Sequence, residues 1–255
     1  MSQHPSRRTL PLPALAGLVV VYLVLLAVVH RVATASVDGL DYGSFPDGDV
    51  VLRAVIIPVG LSVVLCAAAI QLLGWWAPVM GGDAPVQRWI RIVPILLVAA
   101  IVLGTDYGTL VDKGIGFTVV LLFGAALIGL GEELMFRGIV VVALRDAGHR
   151  ESRVALWSAV AFGAAHTVNF FVDGGGHVLQ IVTTLVMGWF LYLVRRLTGG
   201  LLVPVVIHAL WDFGLFSGIV TSEPYPGAFL FILAQVVLAV VVIRRRAQVE
   251  IAGQS

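Results

Sequence analysis

The sequence predicts an all-α fold, a polytopic transmembrane bundle of about eight helices forming one domain over residues 1–255. Three observations predict it. Hydrophobic residues make up 59% of the chain, charged residues only 12%, and mean hydropathy is +1.01. Soluble domains run at roughly 45–50% apolar and about 25% charged. The apolar residues gather in stretches near the roughly 20 residues that a helix needs to cross hydrocarbon. The charges fall between those stretches with a one-sided bias. So few charges cannot cover a water-facing surface, so the bundle is solvated by lipid. A net charge of +1 and a pI near 8.0 exclude a nucleic-acid binder driven by bulk charge.

Eight segments are justified in chain order. Leu12–Val29 follows Arg7 and Arg8. Ser6-Arg7-Arg8 and Ala33-Thr34-Ala35 imitate a twin-arginine signal and its cleavage site, but the apolar run is long for a signal, so the first span is expected to be retained. Arg31–Asp49, the longest polar stretch, is only a loop, and Val50–Leu73 follows it. This second segment contains the lone cysteine, Cys66, read as a small buried or lipid-facing hydrophobe. Trp89–Leu103 is short, with Arg88 and Arg91 at its start. Ile115–Leu144 is the longest. Val154–Val168 is again short, and Val178–Val194, Leu201–Val220 and Ala228–Ile243 complete the set.

Charge orients the spans. An even count puts both termini on one side. Placing them in the cytoplasm puts twelve cations inside: Arg7, Arg8, Arg88, Arg91, Arg145, Arg150, Arg153, Arg195, Arg196, Arg244, Arg245 and Arg246. Only Arg31, Arg53 and Lys113 fall outside. The outer loops instead carry Asp38, Asp41, Asp47, Asp49, Asp106, Asp112, Asp173 and Glu223. Twelve against three is a strong positive-inside bias. A multi-pass protein of a bacterial plasma membrane is the expected setting, with the bilayer itself as its first partner.

Glu132, Glu133, Arg137 and Asp212 are left inside spans, joined by His166 and His208. An ionised side chain at a helix centre costs roughly 2.5–3.5 kcal/mol on insertion scales, so these residues must face one another or a wet cavity. Glu133 and Arg137, four apart, are read as an intrahelical ion pair. Glu132 sits about 100° away with no cation in its own turn, so either a proton kept on the carboxylate or a histidine partner is expected. Phe162 shares a face with His166, and His208 shares one with Asp212. Glu132 is 13 residues from Arg145, His166 is 13 from Arg153, and His208 is 12 from Arg196. At 1.5 Å per residue all three lie about 18–20 Å from the inner end markers. Three helices therefore bring a carboxylate and two imidazoles to one layer.

Glu132-Glu133-Leu134-Met135-Phe136-Arg137 fits EExxxR, Phe162-Gly163-Ala164-Ala165-His166 fits FxxxH, and His208-Ala209-Leu210-Trp211-Asp212 fits HxxxN/D. In this order, on successive spans, the motifs resemble those of the CPBP family, also called Abi or type II CAAX endopeptidase-like proteins. Residues 115–220 are the corresponding protease core. The resemblance implies an intramembrane endopeptidase acting on a membrane-associated peptide or protein. It implies that Glu132 and His166 activate water and that His208 with Asp212 stabilises the oxyanion, with Glu133, Arg137 and Phe162 in support. The chemistry is coherent, because amide hydrolysis needs a base and donors aimed at the developing oxyanion. Asp212 departs from the asparagine of the eukaryotic branch, whose members trim prenylated CAAX proteins. An ionised carboxylate only accepts hydrogen bonds, so the expectation is that Asp212 orients His208 from one turn away.

A metal-free reaction is expected, with no cofactor. The alternative is zinc held by Glu132, His166 and His208, although the HExxH signature is absent. GxSxG, rhomboid-type GxSG around Ser217 and presenilin-type GxGD are missing as well. Asp173-Gly174-Gly175-Gly176-His177 reads as a flexible outer turn, since no lysine follows it. His4, His30, His149 and His177 lie at or beyond span ends with no partner evident from sequence. Two other classes remain: a non-catalytic membrane protein for bacteriocin self-immunity or partner binding, and a carrier using Glu132. The carrier reading commonly predicts an internal repeat, which the sequence does not show.

Overall fold

A computed structural model describes residues 8–37, 45–82, 86–169, 178–220 and 225–245. Asp38, Asp41, Asp173, Glu223, Arg7, Arg246, His4 and the turn at Asp173–His177 lie outside the described residues. The described residues are helical without a named strand, apart from an isolated bridge between Gly81 and Gly200. The elements are α1 (Leu12–Ala33), α2 (Gly48–Leu73), the short α3 (Trp76–Met80), α4 (Ile92–Gly104), α5 (Tyr107–Asp146), α6 (Glu151–Ala165), α7 (Val178–Thr198), α8 (Leu202–Ile219) and α9 (Ala228–Arg244).

Each of the eight expected segments is found as helix. Among the described residues five are long and apolar enough to cross a membrane: α1, α2, α5, α7 and α8. The chain is thus a multi-pass membrane protein. The other three, α4, α6 and α9, are shorter. A 3-10 turn at Arg88–Arg91 precedes α4, a 3-10 turn at His166–Val168 follows α6, and α9 has 17 residues. Leu103, Val111, Ile115, Val182 and Phe229 stand exposed on outer faces, the pattern expected where lipid is the solvent.

Three local features shape the bundle. In α2, Pro58 has no N–H to give the Ala54 carbonyl, and the turn Leu52–Ile56 before it widens to π geometry. His30 of α1 supplies the missing donor, its Nδ1 lying 2.9 Å from that carbonyl. His30 therefore has a structural partner that the sequence did not indicate. In α5 the helix breaks at Gly114, whose φ of 82° favours glycine. The Thr118 hydroxyl then serves the carbonyls of Gly114 and Leu110. The predicted start at Ile115 coincides with this break.

The third feature decides the site. Between Glu133 and Val140, α5 becomes π-helical, and all eight residues of that turn are buried. It is enclosed by α2, α3, α6 and α7. A π segment disturbs the regular pairing of helix carbonyls with amides. Here two side chains from other helices cap it. Ser158 Oγ of α6 donates to the Phe136 carbonyl at 2.9 Å, and Arg195 of α7 donates to the Arg137 carbonyl and, at 2.8 Å, to that of Pro78. Arg195 is fully buried and Arg196 nearly so. The sequence predicts both as cytoplasmic charges at the inner end of Val178–Val194; Arg195 is instead an internal clamp on the π segment.

Candidate active site

Glu132 ends the α-helical part of α5 and Glu133 begins its π turn. Opposite them runs α8, and the two helices approach closely at Gly129, one turn before the carboxylates. A Cβ on Gly129 would lie 2.8 Å from the Ala209 nitrogen and 2.9 Å from the Val205 carbonyl oxygen. Those two residues flank His208. Only a residue without a side chain lets α8 come this near. Gly163 does the same between α6 and α7, where a Cβ would lie 2.7 Å from that of Leu185, one turn before His166.

The consequence is a single imidazole gripped from two sides. Glu133 Oε1 lies 2.9 Å from His208 Nδ1, and Glu132 Oε2 lies 3.4 Å from its Nε2. Asp212 Oδ2, one turn along α8, is 3.6 Å from the same Nε2. The histidine partner expected for Glu132 is present. The contact that orients His208 at hydrogen-bond distance, however, comes from Glu133 rather than Asp212. From the sequence Glu133 is expected as half of an ion pair and in support of the site. That pair exists too, with Arg137 Nη1 at 2.9 Å and both side chains fully buried. None of the guanidinium nitrogens is aligned for a hydrogen bond. The planar face of Arg137 instead sits 4.0 Å from the centre of the Phe162 ring, so distance-dependent attraction and cation–π contact hold it.

Phe162 is the hub between the motifs. Its ring meets His166 edge-on at 4.9 Å and His208 at 5.6 Å. Its carbonyl lies 2.9 Å from His166 Nδ1. A carbonyl only accepts, so Nδ1 carries the proton, and a neutral His166 keeps Nε2 as its acceptor. The same logic at His208 puts a proton on Nδ1 toward Glu133. Its Nε2 then faces two carboxyl groups, where a bare lone pair would be repelled. At least one proton therefore resides among Nε2, Glu132 and Asp212. The 3.4 and 3.6 Å spacings exceed a good hydrogen bond and leave room to tighten around a reacting group.

Glu132, Phe162, His166, His208 and Asp212 all line one cavity of about 460 Å³, with Glu133 and Arg137 fully buried. The three motifs therefore border one shared cavity. Its walls are largely apolar, including Leu26 of α1, Val59 of α2 and Phe231 of α9. That is the usual character of a site where a few polar groups fix a mostly apolar ligand. Tyr22 of α1 and Gln235 of α9 also line it, each with a buried oxygen that has no hydrogen-bond partner among the described residues. Neither was expected from sequence, because a tyrosine or glutamine in an apolar run breaks no charge rule. Ser217, by contrast, is structural: its Oγ donates to the Gly214 carbonyl and accepts from the Asp106 amide.

Zinc, the alternative, would need three or four protein ligands around one point. Among the described residues no three His, Cys, Asp or Glu side chains are grouped to hold a metal ion. His166 and His208 both commit Nδ1 to protein acceptors, which leaves Nε2 as the nitrogen each turns to the cavity.

No curated protein matches the chain. Residues 114–214, which carry all three motifs, match the family described as Type II CAAX prenyl endopeptidase Rce1-like, the CAAX-protease-like family that those motifs resemble.

Proposed function

We propose that the chain is a metal-free intramembrane endopeptidase that hydrolyses a peptide bond in a membrane-associated protein or peptide. One observation carries the reading: Glu132 and Glu133 reach opposite nitrogens of His208 inside a cavity that His166 and Asp212 also line. A purely structural ion pair needs only Glu133 and Arg137. It gives no reason for a second carboxylate, a second histidine and an aspartate to converge on the same space.

In this reading Glu132 is the base that takes a proton from water, and His166 Nε2 accepts the other hydrogen and fixes the water's orientation. Glu133, paired with Arg137, fixes the His208 ring through Nδ1. His208 Nε2–H is then the donor aimed at the oxyanion, where a preplaced donor is worth about 10²–10³ in rate. Asp212 balances the charge on that proton. Glu132 finally returns its proton to the leaving amine. The eight-span topology with both termini cytoplasmic, in a bacterial plasma membrane, belongs to the same proposal, supported by the charge bias of the loops.

The decisive experiment compares membrane proteomes of cells carrying the wild-type chain or Glu132→Ala and looks for peptides whose ends differ. Substrates that accumulate uncut in the variant, with the variant present in membranes at wild-type level, are the expected result. Identical peptide ends, with any immunity phenotype intact, would sink the peptidase reading in favour of a binding role. Elemental analysis of active protein tests the metal-free reading; stoichiometric zinc whose removal stops cleavage would overturn it.

A further inference from the structure

The cavity occupies one half of the bundle. Its lining runs from Tyr22 to His30 on α1, from Leu179 to Met187 on α7 and from Ala228 to Gln235 on α9. At 1.5 Å per residue each run rises about 10–12 Å. The inner ends of these runs lie at the motif layer, where Tyr22 packs on Phe136 and Gly188, next to Met187, packs on Phe162. The outer ends reach the start of α2, where His30 meets the Ala54 carbonyl, and the starts of α7 and α9. The opposite half is filled. Glu133–Leu144 of α5 and Phe190–Arg196 of α7 are buried throughout, and apart from Phe136 none of these residues lines the cavity. Exposure follows the same gradient: Phe136 is 1% and Met187 3% exposed at the closed end, whereas Leu179 is 60% exposed at the other. The filled half is the one that ends in Arg145, Arg150, Arg153, Arg196 and Arg244, and there Arg145 and Arg196 meet on Glu151. Clustered cations mark the cytoplasmic side of a membrane protein.

We propose that the cavity is reached from the extracytoplasmic side, so that the substrate is an apolar peptide segment presenting its scissile bond in the outer half of the bilayer, and not a cytoplasmic tail. The proposal rests on the peptidase reading and on the topology with both termini in the cytoplasm. The path suits an apolar segment. Thr183 and Thr184 line it, but their hydroxyls donate to carbonyls of their own helix, that of Gln180 included. Polar capacity is concentrated instead at the closed end, where the Tyr22 hydroxyl and Gln235 Oε1 are buried without a hydrogen-bond partner among the described residues. A peptide bond drawn out of regular structure brings an N–H and a C=O that need such partners.

The test uses the full chain in oriented membrane vesicles. Single cysteines are placed on the cavity wall (Leu26→Cys and, separately, Thr183→Cys) and at the two ends of the bundle as references (Asp112→Cys and Arg150→Cys). The unmodified chain, whose only thiol is the fully buried Cys66, is the blank. A cationic, membrane-impermeant thiosulfonate is applied to right-side-out and to inside-out vesicles. Both cavity cysteines should react in right-side-out vesicles together with Asp112→Cys, and lose that reaction in inside-out vesicles, where Arg150→Cys reacts. Reaction from the Arg150 side overturns the proposal. So does a reversal of the two references, or silence of both cavity cysteines while the references react. Labelling needs no cleavage, so the two readings fail separately. Peptide ends that change with Glu132→Ala in cytoplasmic segments alone overturn the proposal and leave the peptidase. Outer-side labelling with no changed peptide ends overturns the peptidase reading and the substrate with it, but not the sidedness of the cavity.

Discussion

Glu133 Oε1 lies 2.9 Å from His208 Nδ1 and also 2.9 Å from Arg137 Nη1. One oxygen thus ties the charge balance of α5 to the ring orientation of α8. The arrangement separates two jobs that a single carboxylate could not do together. A base must be free to take up a proton, whereas a clamp must hold its ring in one orientation. Glu133, sealed beside a guanidinium, is suited to the clamp, and Glu132, on the cavity wall, to the base.

This division predicts different failures for the two glutamates. Glu132→Gln should abolish cleavage with the melting temperature almost unchanged. Glu133→Ala leaves Arg137 buried without its counter-charge and should destabilise the fold by about 3–5 kcal/mol. The double variant Glu133→Leu/Arg137→Met should recover much of that stability and remain inactive, because His208 loses its Nδ1 acceptor. Thermal melts in detergent alongside a cleavage assay check all three. A double variant that regains activity would show that Glu133 serves the fold alone.

Asp212 provides a sharper test of the oxyanion arrangement. The orienting contact at Nδ1 comes from Glu133, and Asp212 approaches the other nitrogen at only 3.6 Å. Asp212→Asn keeps the shape and an acceptor oxygen while adding an N–H donor, so substantial cleavage should survive. His208→Ala and His166→Ala should each be inactive but folded. Severe loss in Asp212→Asn would return the orienting role to Asp212.

Close helix contact is also testable. A methyl group at Gly129 would sit within 3 Å of two backbone atoms of α8. Gly129→Ala must therefore push α8 away from the carboxylates or distort it, at about 1–3 kcal/mol. Because His208 lies between the two contacted residues, activity should fall more than stability does. Gly60, with nothing within 4 Å of its added Cβ, is the control. Gly60→Ala should leave cleavage and melting unchanged.

Much of this site was legible in the sequence, for a physical reason. Inside a membrane an ionisable side chain is expensive, so Glu132, Glu133, Arg137 and Asp212 announced themselves by position alone, and helical spacing put His166 and His208 at their depth. What stayed hidden has no such cost signature. The π turn at Glu133–Val140 leaves the apolar pattern intact while re-aiming two carboxylates onto one ring. Arg195 looked like a flanking cation because Arg196 and a helix end follow it, yet it is spent on a carbonyl of that turn. Tyr22 and Gln235 are ordinary residues in apolar helices until the bundle closes around them. The short α4, α6 and α9 were found in the right places, but hydropathy could not fix where a 3-10 turn takes over.

Away from the cavity, Glu151 predicts how the bundle responds to acid. Arg145 grips its carboxylate at 2.8 and 3.0 Å, Arg196 reaches it at 3.1 Å, and the Tyr192 hydroxyl donates to it, so the end of α5, the start of α6 and α7 are joined. Burial alone would raise its pKa, but the hydrogen bonds from Arg145 and Tyr192 and the charges of Arg145 and Arg196 outweigh this and hold it below its ordinary value of 4.5. A depressed carboxylate contributes stability that is fully present above the unfolded value and lost as pH falls through the folded one. The side chain is 40% exposed, so solvent screening keeps the effect modest. The melting temperature of the wild type should exceed that of Glu151→Gln by a constant margin near neutrality. That margin should shrink once the pH drops below about 4.5. Melting curves of both proteins between neutral and acid pH measure it. A margin that does not narrow in acid would mean that the network holds α5, α6 and α7 through shape and hydrogen bonding alone, independently of the carboxylate's charge.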